Sequence, residues 1–191
     1  MSLVRLRQLA AASMVSAFLA GTVGAVISLP VVPFQGYFQD IAGARWIDRA
    51  AQAQAESGFN PRAVSMVKGK DGKMHPCAYG LTQFTLPTWA EWAPSGADPF
   101  DPLSSIKAQH AYMVYLEART QSFNAALGSY NAGPGSIRKA QRLADSLGLA
   151  GSDSWLRALP RVTGAAHSAE TRGYIANNTR FRAAIRAKVQ P

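Results

Sequence analysis

Apolar residues recur three and four positions apart along most of the chain beyond residue 40, a spacing typical of helices that bury one face. Within 103–120, for example, Ile106, Val114 and Leu116 fall near helical spacing. No segment shows the convincing period-two alternation of a half-buried strand. The pattern therefore predicts an all-α domain, with helices over 41–55, 85–92, 103–120, 123–130, 136–147 and 170–189.

Two stretches depart from this helical pattern. Residues 62–79 contain the charged, glycine-punctuated run 68–73, which predicts an irregular loop. Prolines and a glycine between positions 30 and 36 predict a linker. We therefore divide the chain into an N-terminal segment, 1–35, and a globular domain, 36–191.

The N-terminal segment contains an uncharged run, Leu9 to Val32, which is long enough for the roughly 20 residues that a transmembrane helix needs. Only the basic residues Arg5 and Arg7 precede it, and they favour an N-terminus held inside. We therefore predict a retained transmembrane helix over 9–32. The alternative is a cleaved signal peptide, because small residues near positions 17–25 offer cleavage sites.

The net charge of the chain is +9, and it is concentrated in the last third. From Arg119 onward, eleven Lys or Arg residues face three acids. Such a surface favours a polyanion, which could be nucleic acid, anionic lipid or an acidic wall polymer. The basic stretch 180–188 has Phe181 as its one aromatic residue, so we predict no specific nucleic-acid binding.

The single cysteine, Cys77, excludes an internal disulfide and a multi-cysteine zinc site. His75 lies two positions before it, but two ligands do not make a metal site. We predict neither a metal nor a cofactor.

Glu56 is the leading candidate for chemistry because it lies just before a helix stop, 57–61. Gly58 tolerates the positive φ of a helix C-cap, and Asn60–Pro61 cannot continue a helix. A carboxyl on the last turn meets the negative end of the helix dipole, which disfavours its ionisation. If the fold also buries it, its pKa should rise enough for a general acid at neutral pH.

Three further motifs follow Glu56 in order: Tyr-Gly-Leu-Thr-Gln at 79–83, Ser-Tyr-Asn-Ala-Gly at 129–133 and Glu-Thr-Arg-Gly-Tyr at 170–174. Together they resemble the goose-lysozyme-like family of soluble lytic transglycosylases, whose pattern runs Glu-Ser-x-Phe-Asn-Pro, Gly-Leu-x-Gln, Tyr-Asn-Ala-Gly and Glu-Thr-x-x-Tyr. The resemblance covers about 41–174. Residues 98–102 and 159–164 look most like the phage-encoded members.

The resemblance implies a lysozyme-like helical fold and, as substrate, the MurNAc–GlcNAc glycan strands of peptidoglycan. Glu56 matches the catalytic acid/base of the family. The resemblance also assigns a set of substrate-binding or site-lining residues, namely Ser65, Gln83, Tyr130, Asn131, Glu170 and Tyr174. Thr82 stands where the family often has Met, which we expect to shorten and polarise a wall of the groove. Residues 68–75 are expected to be an insertion beside the cleft.

One carboxylate suffices for the chemistry that the resemblance implies, because substrate-assisted glycosidases are recognised exceptions to the two-carboxylate rule. Protonated Glu56 would donate to the glycosidic oxygen, and the N-acetyl group of MurNAc would stabilise the cation. Ionised Glu56 would then accept the proton of the C6 hydroxyl, closing a 1,6-anhydro ring. The hydroxyl of Tyr130 or Tyr174 would hold the carboxyl in position.

The expected setting is a phage virion that delivers the protein to the host envelope, where it opens the wall for genome entry from the periplasmic side of the membrane. A homo-oligomer or other virion proteins are the expected partners. Three alternatives remain open: a hydrolytic muramidase on the same fold, an ejected channel protein with secondary or lost activity, and a wall enzyme of a conjugation or secretion system.

Overall fold

The computed structural model describes residues 31–189, and within that range the chain forms eight α-helices and one β-hairpin. A short 3-10 turn, Gly43–Arg45, joins the first two helices. The elements, in chain order, are α1 (Gln35–Ala42), α2 (Trp46–Ser57), β1 (Val64–Lys68), β2 (Met74–Tyr79), α3 (Leu86–Trp92), α4 (Pro102–Thr120), α5 (Phe123–Ala132), α6 (Pro134–Ser146), α7 (Trp155–Thr163) and α8 (Ala165–Val189).

Local capping sets the ends of several helices. Thr85 accepts from the backbone N–H of Thr88 at the start of α3, and Asp101 accepts from Ser104 at the start of α4. Gly58 ends α2 in the left-handed region, at φ 62°. The predicted stop after Glu56 is therefore confirmed.

The all-α prediction is wrong at residues 64–79, which form an antiparallel hairpin rather than an irregular loop. Val64 pairs with Tyr79 and Lys68 with Met74, with a bulge between Ser65 and Met66. Every residue of β1 is exposed, so the strand carries no alternation of buried and exposed positions. The backbone ladder alone defines this element, and a sequence pattern based on burial does not detect it.

Three further features of the helices differ from the predictions. The predicted helix 41–55 is divided, because Gly43 at φ 51° ends α1. Helix α7 has no predicted counterpart, since Pro160 inside it argues against a helix. Helix α8 begins at Ala165, five positions before the predicted start at Glu170.

Two hydrophobic clusters form the core, and α8 contributes to both. The first is built largely on α4 and α5 and includes Leu116, Leu127 and Tyr174. The second includes Phe38, Leu81, Ile106 and Ile185. Helix α8 packs along α2, α5 and α7. Its docking against α2 therefore fixes where Tyr174 lies relative to Glu56.

Most of the predicted transmembrane segment, 9–30, lies outside the described residues. Its last two residues are described and contact the domain: Val32 is 6% exposed within the second cluster, and the N–H of Val31 donates to Oε1 of Gln35 at 2.7 Å. None of the helices between residues 31 and 189 combines the length and apolar character that a membrane crossing requires.

Candidate active site

Glu56 and Tyr174 meet in the structure although they are far apart in the sequence. Glu56 lies on the last turn of α2, and Tyr174 lies near the middle of α8. The hydroxyl of Tyr174 donates a 2.6 Å hydrogen bond to Oε1 of Glu56. The phenol is buried, and Glu56 as a whole residue is intermediate in exposure. The hydrogen bond therefore holds the carboxyl in one orientation.

Burial raises the pKa of the Glu56 carboxyl from 4.5 to about 8. The hydrogen bond from Tyr174 opposes this shift, and the negative charge of Glu170 adds to it. Glu56 is therefore protonated at neutral pH, which is the state required of a general acid. Burial, the condition on which the sequence argument depends, is the largest cause of the raised pKa.

Tyr130 lies near the carboxyl but binds elsewhere. Its hydroxyl donates to the backbone oxygen of Thr82 at 2.8 Å, and its ring packs edge-on against Phe84. Burial and then the charge of Glu56 raise the pKa of Tyr130 well above its ordinary value. Of the two tyrosines proposed from the sequence, Tyr174 holds the carboxyl and Tyr130 supports the neighbouring loop.

The prediction that Thr82 forms a wall of the groove is wrong. Its side chain is fully buried, and its hydroxyl lies 2.7 Å from Oγ of Ser105. A buried hydroxyl needs such a partner, which explains why a polar residue is stable at this position. Only the backbone of Thr82 contacts the site, through Tyr130.

Ser65 and Gln83 form a pair that joins the hairpin to the loop after it. Oγ of Ser65 donates to Oε1 of Gln83 at 2.6 Å. The Gln83 amide nitrogen donates to the backbone oxygens of Ala63 and Gly80, at 3.2 and 2.8 Å. These three bonds hold Gln83 at φ 52°, a region that costs an ordinary residue about 1–3 kcal/mol. The side chains of Ser65 and Gln83 therefore stabilise the conformation of this loop.

The same loop requires glycine at position 80. A Cβ there would lie 2.0 Å from the backbone oxygen of Pro99, and φ is 76°. Only glycine permits both the conformation and the approach. The glycine of the Gly-Leu-x-Gln motif is therefore required for the backbone conformation of this loop.

Asn131 lines two depressions. One is about 240 Å³ in volume and includes Gln83 and Tyr130, and the other is about 440 Å³ and includes Glu170 and Thr171. Glu56 lines neither, but its charge interacts with Tyr130 in the first and with Glu170 in the second. The two depressions share Asn131, and together they are called the groove below.

Three residues support the site without having been singled out from the sequence. Oγ of Ser57 donates to the backbone oxygen of Leu81 at 2.7 Å and so connects α2 to the loop. Oγ1 of Thr171 donates to Oδ1 of Asn131 at 2.8 Å. Gln52 is fully buried one helical turn before Glu56. Ser57 belongs to the Glu-Ser motif and Thr171 to the Glu-Thr motif, so the two motifs could have indicated these residues.

This arrangement can transfer a proton to and from one ligand atom. It offers one carboxyl with a raised pKa, an orienting phenol and the groove formed by the two depressions at Asn131. Across residues 31–189, no group of His, Cys, Asp and Glu is arranged to hold a metal ion. The raised pKa of Glu56 and its bond from Tyr174 point to acid–base work by Glu56.

A protein-family model described as "Transglycosylase SLT domain" matches residues 50–149, which is more than half of the chain. Glu56, Ser65, Gln83, Tyr130 and Asn131 fall within the match, and Glu170 and Tyr174 follow it. No curated protein matches the chain significantly.

Solved structures share the fold. The 70 kDa soluble lytic transglycosylase SLT70 from Escherichia coli matches with a TM-score of 0.60 and 25% identity, over 82% of this chain and 24% of that chain. An inactive mutant of the lytic transglycosylase Slt from Pseudomonas aeruginosa matches with a TM-score of 0.58 and 20% identity, over the same shares. The chain thus spans about a quarter of the length of these proteins.

Proposed function

The chain belongs to the transglycosylase SLT domain family, and on that premise we propose that it is a peptidoglycan lytic transglycosylase. Its substrate is the β-1,4 bond between MurNAc and GlcNAc in the glycan strand, and its product carries a 1,6-anhydro ring. SLT70, by its name a lytic transglycosylase, supports this choice through its 25% identity to the chain.

In the proposed reaction, the glycan lies in the groove on both sides of Glu56. Protonated Glu56 donates its proton to the glycosidic oxygen as the bond to C1 of MurNAc breaks. The N-acetyl group of the same sugar stabilises the positive charge that develops at C1. Ionised Glu56 then accepts the proton of the C6 hydroxyl, whose oxygen bonds to C1. The enzyme regains its proton, and no water is consumed.

One observation carries the proposal: the carboxyl of Glu56 is oriented by the hydroxyl of Tyr174 at 2.6 Å, and burial raises its pKa to about 8. A carboxyl that must act first as acid and then as base works best when its pKa is near the working pH. The hydrogen bond keeps the carboxyl oriented in both steps. Glu170 is exposed and acts on Glu56 through its charge.

The products of purified, digested peptidoglycan test the proposal. Anhydro ends, one water lighter in mass spectrometry than reducing ends, are expected. Reducing ends would instead assign the chain to the hydrolytic muramidases on the same fold. Intact glycan would contradict an enzymatic role and favour a channel or other structural function.

We also propose that residues 9–30 anchor the protein in a membrane with the domain in the periplasm, as part of a phage virion that opens the wall for genome entry. Val31 and Val32, the last two residues of the predicted segment, pack against the domain instead. The support is the uncharged segment behind Arg5 and Arg7, together with the phage-like stretches 98–102 and 159–164. The full chain should partition into detergent with its original N-terminus. A mature N-terminus within 21–26 would contradict the anchor and indicate a cleaved signal peptide.

A further inference from the structure

A third cavity, here called the α5 pocket, is lined by Ser129, the neighbour of Tyr130 on α5. Its volume is about 260 Å³, and it lies between the end of α4 and the start of α6. Pro134 lines both this pocket and the depression that holds Tyr130 and Asn131. The pocket therefore adjoins the groove but does not include the carboxyl of Glu56. Its lining includes Tyr115, Arg119, Ser129, Gly135, Arg138 and Gln141.

Two guanidinium groups give this pocket a positive charge. Arg119 lies over the ring of Tyr115, with Cζ 4.5 Å from the ring centroid, and this stacking orients its donors. Arg138 enters from α6 on the other side. Within residues 31–189, neither arginine forms an ion pair. Their charge is therefore available to a ligand.

Ser129 supplies an independent indication of a polar ligand. The residue is fully buried, lines the pocket, and its Oγ has no hydrogen-bond partner among the described residues. Burying a hydroxyl without a partner is unfavourable, and buried polar groups are normally satisfied. The first turn of α6, at Pro134 and Gly135, adds the positive end of a helix dipole to the same pocket.

We propose that this pocket binds an oxyanion, either a carboxylate or a phosphate, between Arg119 and Arg138. Planar guanidinium groups suit the two oxygens of a carboxylate or phosphate, and the Ser129 hydroxyl donates to the same group. Because Pro134 separates the pocket from the groove, the oxyanion belongs on a branch of the polymer that occupies the groove. In peptidoglycan that branch is the peptide, so this last step rests on the proposed function.

Binding of inorganic phosphate to the full chain in mild detergent tests the site directly. Melting temperature is measured against phosphate at constant ionic strength and pH, with chloride as the balancing anion. Wild type should show a saturable rise. The double variant Arg119→Gln, Arg138→Gln should bind phosphate at least about tenfold more weakly, because two charge-assisted contacts are lost.

Arg142→Gln is the matched control, since Arg142 is exposed on α6 and outside the pocket. It removes the same charge and should leave the phosphate midpoint unchanged. If the control and the double variant weaken phosphate binding equally, the effect is general charge and the proposal is wrong. Ser129→Ala should weaken phosphate binding without lowering stability. A marked loss of stability would show that the hydroxyl already has a partner in the protein.

A second measurement distinguishes the two sources of the oxyanion. Cleavage is compared on peptide-bearing wall and on glycan from which an amidase has removed the peptides. If the ligand is a peptide carboxylate, the double variant should raise KM only on the peptide-bearing wall. An unchanged KM on both substrates, with phosphate binding lost, would assign the pocket to phosphate. If wild type cleaves neither substrate, the proposed function fails, and the phosphate titration still tests the pocket.

Discussion

The hydroxyl of Tyr174 donates a 2.6 Å hydrogen bond to Oε1 of Glu56, across 118 positions of sequence. This bond joins the C-terminal turn of α2 to the middle of α8. It connects the carboxyl that acts in the proposed reaction to the hydroxyl that orients it. It also lowers the pKa of a carboxyl that burial raises to about 8. Five predictions follow from this relationship and from the packing around it.

Glu56→Gln should lower glycan cleavage by about 10²- to 10⁴-fold, because the amide has no proton to give to the leaving oxygen. Release of anhydro products from purified wall measures the loss. Glu91→Gln, an exposed glutamate on α3, is the matched control and should retain wild-type activity. Comparable cleavage by the Glu56 variant and wild type would remove Glu56 from the mechanism.

Activity should fall as the pH rises through about 8, because Glu56 then loses the proton needed for the first step. Stability should follow the same ionisation. The folded pKa of about 8 lies above the ordinary 4.5, so this contribution is fully present below pH 4.5 and is lost as the pH rises to 8. The free energy of unfolding should therefore decline by up to about 1.4 kcal/mol per pH unit in that window. Chemical denaturation of wild type and Glu56→Gln measures it, and equal slopes would contradict the raised pKa.

Tyr174→Phe and Glu170→Gln should shift the basic limb of the pH profile in opposite directions. Removing the Tyr174 hydroxyl takes away a bond that lowers the pKa of Glu56, so the limb moves to higher pH. Neutralising Glu170 removes a charge that raises the pKa, so the limb moves to lower pH. Shifts of the same sign would be incompatible with this geometry.

Tyr130→Phe is the control for the tyrosine variant. Its hydroxyl donates to the backbone of Thr82 and not to Glu56, so its loss should leave the basic limb in place. An upward shift as large as that of Tyr174→Phe would mean that the two phenols share the role.

Gly128→Ala and Gly173→Ala should change stability with opposite signs, although both replace a helical glycine. A Cβ at Gly128 would lie 2.6 Å from Cη2 of Trp155, and overpacking of this kind costs about 1–3 kcal/mol. A Cβ at Gly173 meets nothing within 4 Å, so alanine should stabilise α8 by about 0.5–1 kcal/mol. Thermal unfolding of the two variants checks this. If Gly128→Ala leaves the stability unchanged, the Trp155 side chain can move to accommodate the added methyl group.

A chain that starts at Gly36, the predicted domain boundary, should be less stable than one that starts at Val31. Val32 is 6% exposed in the second cluster, and burial of such a side chain contributes about 1.5–3 kcal/mol. The shorter chain also loses the hydrogen bond from Val31 to Gln35. Urea titration compares the two, and equal midpoints would show that residues 31–35 contribute nothing to the fold.

The features that the sequence determined by itself are local ones. Gly58 and Asn60–Pro61 place Glu56 at a helix end because backbone conformation is decided within a few residues. The apolar spacing of 103–120 likewise indicates a helix from the residues of that segment alone. The four ordered motifs indicated the family, which the match over 50–149 confirms.

Tertiary structure decided which of these groups work together. The sequence offers both Tyr130 and Tyr174 to Glu56, and only the docking of α8 on α2 selects Tyr174. Thr82 appears beside Gln83 in the motif, yet its side chain turns into the core toward Ser105. The hairpin 64–79 forms because two segments pair through their backbones. Backbone pairing does not produce a hydrophobic periodicity in the sequence, so the sequence pattern does not predict it. Contacts between distant segments depend on how elements pack, and side-chain spacing along one element does not specify that packing.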